Sequence, residues 1–146
     1  MDLTKNSPRS VGEKSFGIVQ LARTIDKANA TANGTAGEYD YDCRMDRNLF
    51  EFLGTSGSAF LDVVKNSENE WDIEAYVQGL ISKIAPRELE AFNRHTLQQI
   101  PRGESWNQFA ELRTRIAPER TDVSTWPDLL DLDEGRTVPV RVAAKK

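Results

Sequence analysis

One cysteine and one histidine are all this sequence offers of the soft metal ligands and ready nucleophiles. A lone Cys43 cannot close an internal disulfide, which fits a reducing compartment. A lone His95 rules out multi-histidine zinc sites, and a catalytic role for it needs a nucleophile and an orienting acid that the sequence does not place beside it. No apolar run is long enough to span a bilayer, and the first residues lack the apolar core of a secretory signal. A cytoplasmic protein without a membrane partner is therefore expected. Positive charge is not in excess either: 19 Lys and Arg stand against 23 Asp and Glu, a net charge of −4. Nucleic-acid binders usually show a basic face that neutralises phosphates, so nucleic acid is not an expected partner.

The glycines and acids that are present fail the spacing tests for bound groups. Gly34 and Gly37 belong to the turn Asn33-Gly34-Thr35-Ala36-Gly37, which lacks both the Gly-Lys-Ser/Thr ending of a phosphate loop and the preceding strand of a dinucleotide fingerprint. Asp128, Asp131, Asp133 and Glu134 invite a calcium reading, but leucines fill the intervals and Gly135 comes too early for a calcium loop. No metal and no cofactor are expected.

What remains is helical periodicity. Ile18, Leu21, Ala22 and Ile25 recur at i, i+3, i+4 and i+7 and predict a helix over residues 14–30, with Ser10 and Glu13 at capping-box spacing ahead of it and Gly17 as an interruption. Met45, Leu49, Phe52 and Leu53 predict a second, capped by Asp46 and stopped by Gly54. Phe60, Val63 and Val64 predict a third ending near Asn66. Ile73, Tyr76, Val77, Leu80, Ile81 and Ile84 form the cleanest stripe, which predicts a central core helix with Trp71 packed at its start. Pro86 opens a helix carrying Leu89, Phe92, Thr96 and Ile100 and stopped by Pro101; Trp106, Phe109 and Ile116 mark the next; Trp126 and Pro127 open the last. About seven helices with no significant sheet predict an all-α, compact single-domain multi-helix array over residues 1–136, with residues 137–146 an extended or disordered tail.

Between the first two helices, Glu38-Tyr39-Asp40-Tyr41-Asp42-Cys43 alternates acid and aromatic, so an extended chain puts both tyrosines on one face, packed inward with bonded hydroxyls. On the first helix Arg23 and Lys27 lie opposite the apolar stripe, with Asp26 near its edge. Arg9, Arg23, Asp26, Lys27, Glu38, Tyr39 and Tyr41 are the candidate ligand-binding residues. Three readings of them stand open. The arginines and Lys27 hold a small anionic ligand or the acidic segment of a protein partner in a non-enzymatic binding or adaptor domain. Alternatively, Glu38 or Asp26 is the general base of a small enzyme, with Tyr39, Tyr41 and Arg23 in support. Or the group is an internal salt-bridge and hydrogen-bond network that fixes the turn.

The chain also resembles one small bacterial family defined only as a domain of unknown function. The likeness rests on Asp2-Leu3-Thr4-Lys5 with Pro8-Arg9-Ser10, Leu21-Ala22-Arg23 with Ile25-Asp26-Lys27-Ala28, Gly37-Glu38-Tyr39 with Tyr41 and Cys43, and Leu49-Phe50 with Phe52-Leu53-Gly54. It continues through Thr121-Asp122, Thr125-Trp126 and the run from Asp128 to Arg136. Asn29 stands where that family leads one to expect a basic residue, which limits any basic cluster to Arg23 and Lys27. The resemblance implies a soluble bacterial protein with no established activity, and the tail after Arg136 lies outside it.

Overall fold

Three positive backbone dihedrals decide where the first helix begins. The computed structural model describes residues 2–141, and in it Phe16, Gly17 and Gln20 have φ of 55°, 77° and 71°, values no right-handed helix contains. Ser15 and Ile18 exchange backbone hydrogen bonds of 3.0 Å in both directions around Phe16 and Gly17. Positive φ at both central residues is the requirement of the type I′ hairpin turn. The predicted start at residue 14 is therefore corrected: α1 runs Leu21–Ala32. Ser10 and Glu13 do not cap it; they form a turn in which Glu13 N–H donates to the Ser10 carbonyl at 3.1 Å.

Six further helices follow among the described residues: α2 Arg44–Leu53, α3 Gly57–Asn66, α4 Glu70–Ile81, α5 Pro86–Leu97, α6 Ser105–Ile116 and α7 Trp126–Asp133. There is no β-strand among the described residues, so the fold is all-α. Several ends follow the expected chemistry. Gly54 closes α2 in the left-handed conformation at φ 80°, Ser56 caps α3 by accepting from Ala59 N–H at 3.1 Å, and Thr125 caps α7 ahead of Pro127. Two ends differ. The cap of α2 is Cys43, with Asp46 three residues inside, and α5 stops at Leu97, short of Pro101.

The chain divides into two compact units, one up to Arg94 and one from His95. In the first, α1 packs against α3, and α3 against α2 and α4. Its core holds Ile18, Leu21, Leu49, Phe50, Phe60, Ile73 and Val77. The central helix is α1, not the predicted α4: Leu21, Ala22, Ala28 and Ala30 are fully buried, whereas α4 buries only Ile73 and Val77 and leaves Trp71 75% exposed. α1 also buries the polar residues Arg23, Thr24, Asp26 and Lys27, whereas the apolar stripe of α4 covers one flank only. In the second unit, Phe109, Val123 and Leu129 form the core, with the Trp126 ring edge-on to Phe109 at 5.0 Å. Residues 137–141 lie without regular structure along this unit. Val138 is buried, Arg120 donates to the Pro139 carbonyl at 3.1 Å, and Arg141 forks onto Asp128 at 2.9 and 3.0 Å. The rest of the expected tail, residues 142–146, lies outside the described residues.

Candidate functional site

The polar side of α1 points inward. Gln20, Thr24 and Lys27 follow one another at i, i+4 and i+7, one helical face, and all three are buried. They converge on Asp46, whose position in the first turn of α2 aims its carboxylate back at the chain entering that helix. Oδ1 accepts from the Thr24 hydroxyl at 2.6 Å and from Gln20 Nε2 at 3.0 Å. Oδ2 accepts from the backbone N–H groups of Asp42 and Cys43 at 3.0 and 3.2 Å and pairs with Lys27 Nζ at 2.7 Å. Asp46 itself has no exposure. Burial alone pushes its carboxyl up. The Lys27 charge and the hydrogen bonds from Lys27, Thr24 and Gln20 together overcome that and hold it below the usual carboxylate value. Lys27 Nζ also reaches Cys43 Sγ at 3.4 Å, so the half-buried thiol lies against an ammonium group as well as the core. One atom is left over: the buried Gln20 Oε1 accepts from nothing among the described residues.

Asp26 belongs to a second cluster. Arg9 Nε and Nη2 fork onto its two oxygens at 3.0 and 3.1 Å, and Arg9 backbone N–H adds a third bond at 2.8 Å. The bond to Asp26 holds the guanidinium proton more tightly and raises the Arg9 pKa further. Arg23, only 4% exposed, donates to the Arg9 carbonyl at 3.2 Å and lies over the Tyr39 ring at 5.6 Å. The Tyr39 hydroxyl reaches Ser7 Oγ at 3.2 Å. The cluster thus straps the N-terminal arm to α1. The strap is extended by Leu3, which is buried and donates its N–H to the Thr35 carbonyl at 2.8 Å.

The seven candidate residues are therefore brought together only in part. Arg9, Arg23, Asp26 and Tyr39 form one contiguous group, and Lys27 belongs to the Asp46 group. Tyr41 turns to α3, its hydroxyl donating to the Gly57 carbonyl at 2.7 Å. Glu38 is exposed and makes no hydrogen bond or ion pair among the described residues. The extended geometry expected over Tyr39 to Cys43 gives way to successive turns, with Asp42 at φ 67°, although both tyrosine hydroxyls do find partners. Asp46, Gln20 and Thr24 were not among the sequence candidates. Their signal was partial: Gln20 and Thr24 stand four apart on the face that also carries Lys27, and nothing in the chain marks Asp46 as their partner.

Beside the exposed edge of Arg9 a cleft of about 70 Å³ opens, lined by Ser15, Phe16, Ile25, Glu70, Ile73 and Glu74. His95 is exposed on α5, and no group of three or more His, Cys, Asp or Glu among the described residues could hold a metal ion. No helix among them is long and apolar enough to cross a membrane.

Fold and site together define an all-α protein whose first helix carries a buried, internally paired charge network. The chain belongs to the family described as Domain of unknown function (DUF5069), which it matches over residues 5–136. No curated protein matches it.

Proposed function

We infer that this is a non-enzymatic binding or adaptor module of the bacterial cytoplasm, in which the charged group of α1 is the scaffold of the binding surface. The observation that carries this reading is the burial of Asp26, Lys27 and Asp46 with their charges already matched, and of Arg23 beside them against the Arg9 carbonyl and the Tyr39 ring. An ammonium bonded to a carboxylate inside the fold has no capacity for a ligand anion. An Asp26 held by three bonds from Arg9 is likewise poorly placed to accept a substrate proton, and Glu38 stands apart from any donor. What the network does is fix the arm and the aromatic turn against α1, and the cleft beside Arg9 is formed by the arm, the hairpin at Phe16, α1 and α4.

A thermal-shift screen against phosphate, nucleotides, carboxylic acids and divalent cations, run on the wild type and on Arg23→Ala, tests this. The scaffold reading expects no anion to raise the melting temperature and Arg23→Ala to lower it sharply. An anion that stabilises the wild type by mass action and not the variant would restore the anion site around Arg23, Lys27, Glu38 and Tyr39.

A further inference from the structure

Resting on that binding-module reading, we propose that the cleft beside Arg9 receives the alkylammonium end of a lysine side chain presented by a partner protein. Its size points to a side-chain tip. At about 70 Å³ it is roughly half the ~150 Å³ of an engineered cavity that admits benzene, and far below the ~300–1,000 Å³ of a small-molecule site. A nucleotide does not fit.

Its chemistry points to lysine. Phe16, Ile25 and Ile73 give the cleft an apolar lining, and Glu70 and Glu74 stand at its edge. A lysine side chain is four methylenes ending in a cation, so its stem meets the lining while its head stays at the wet rim. Neither Glu70 nor Glu74 has an ion-pair partner among the described residues. Arg9, the one cation in the lining, is already forked onto Asp26, and Glu13 lies 3.8 Å from it. Among the lining residues Arg9 faces Glu70 and Glu74, and its own charge is already met by Asp26. The N-terminal dipole of α4 disfavours a cation with about half a positive charge, but Glu70 and Asp72 in that first turn each bring a full negative one.

Trp71 lies on the same helix outside the lining. It is 75% exposed and stands three residues before Glu74, within reach of that carboxylate but not of its sequence neighbour Glu70. An ammonium group paired with Glu74 therefore has an aromatic face to meet, and tryptophan is enriched among the anchors of protein interfaces.

The test is an amide and side-chain NMR titration of the full chain with n-butylammonium, 1-butanol, butyrate, spermidine and an acetyl-Gly-Lys-Gly-amide peptide. Butylammonium and the peptide are expected to move the Phe16 and Ile73 amides, the Arg9 Nε–H and the Trp71 indole N–H, while butanol and butyrate leave them in place. Glu70→Gln with Glu74→Gln should weaken the peptide roughly tenfold, with an unchanged far-ultraviolet circular dichroism spectrum. Equal responses to butanol and butylammonium, or a doubly substituted protein that binds like the wild type, overturn the proposal. Response to butyrate alone overturns the cationic occupant but keeps a binding cleft. Response to spermidine at far lower concentration than the peptide replaces the partner lysine with a free polyamine. Silence from all five probes removes the cleft as a site, whatever the thermal-shift screen shows for Arg23.

Discussion

At the scale of single residues, the molecule turns on Asp46. A carboxylate with no exposure is tolerable only because two oxygens accept five hydrogen bonds, one of them from an ammonium. Asp46→Asn leaves the Lys27 charge buried without its counter-ion, the situation that costs about 3–5 kcal/mol in other buried pairs. Urea denaturation at neutral pH should show a loss of that size. Lys27→Met added to Asp46→Asn should recover part of it, because no charge is then left buried. The same residue sets an acid limit. Its folded pKa lies below the ordinary value of 3.8, so its contribution is complete above that value and is lost as pH falls through the lower, folded one. Stability measured against pH should therefore drop on the acid side in the wild type, and drop less in Asp46→Asn. Tyr41 sets a limit at the other end. Burial first, then the negative charges of Asp46 and Asp42, push its phenol up from 10.0. That contribution is full below 10.0 and fades as pH rises beyond it, so tyrosinate absorbance from Tyr41 should appear together with unfolding rather than before it. Of this, only the bonded hydroxyl of Tyr41 was legible in the sequence. Asp46 read as a helix cap, since a chain shows which residues share a helical face but not which second helix brings a carboxylate to meet them.

At the scale of elements, the helices declared themselves wherever periodicity and capping agreed. α3 and α7 carry their own serine and threonine caps, and Gly54 ends α2 where a left-handed residue was expected. The first helix misled because Ile18 fits the apolar stripe while belonging to the hairpin before it: a buried residue from a turn can fall in phase by chance. Which helix is central was equally hidden. The apolar stripe of α4 is longer than that of α1, but a stripe marks only the apolar face, and α1 buries its polar side as well, with Arg23, Thr24, Asp26 and Lys27 inside. Leu3 shows the same limit, since a single leucine in a polar arm carries no period. Its docking has a testable weak point. Gly37 has φ +60°, and a Cβ there would come within 2.9 Å of the Leu3 carbonyl oxygen. Gly37→Ala combines left-handed strain with a backbone clash, and a loss of roughly 1–3 kcal/mol is expected. Hydrogen exchange should localise it: the Leu3 amide, bonded to Thr35 in the wild type, should exchange much faster in the variant.

At the scale of the whole molecule, the all-α class followed from composition and period, whereas the division into units did not. Each unit has its own apolar cluster, built on Phe50 and Phe60 in one and on Phe109 and Leu129 in the other. Leu49→Ala and Leu129→Ala each remove a fully buried side chain and should each cost about 2–5 kcal/mol. They should do so in different parts of an exchange map, the first protecting fewer amides before Arg94 and the second after it. The placement of the tryptophans bears on how such experiments are watched. Trp106 and Trp126 both pack edge-on against Phe109 in the second unit, and Trp71, the sole indole of the first, already faces water. Intrinsic fluorescence of this protein is thus a gauge of its smaller half. The larger half, with the buried charges, can melt almost in the dark, and its indole is left as a reporter of whatever settles beside Glu74.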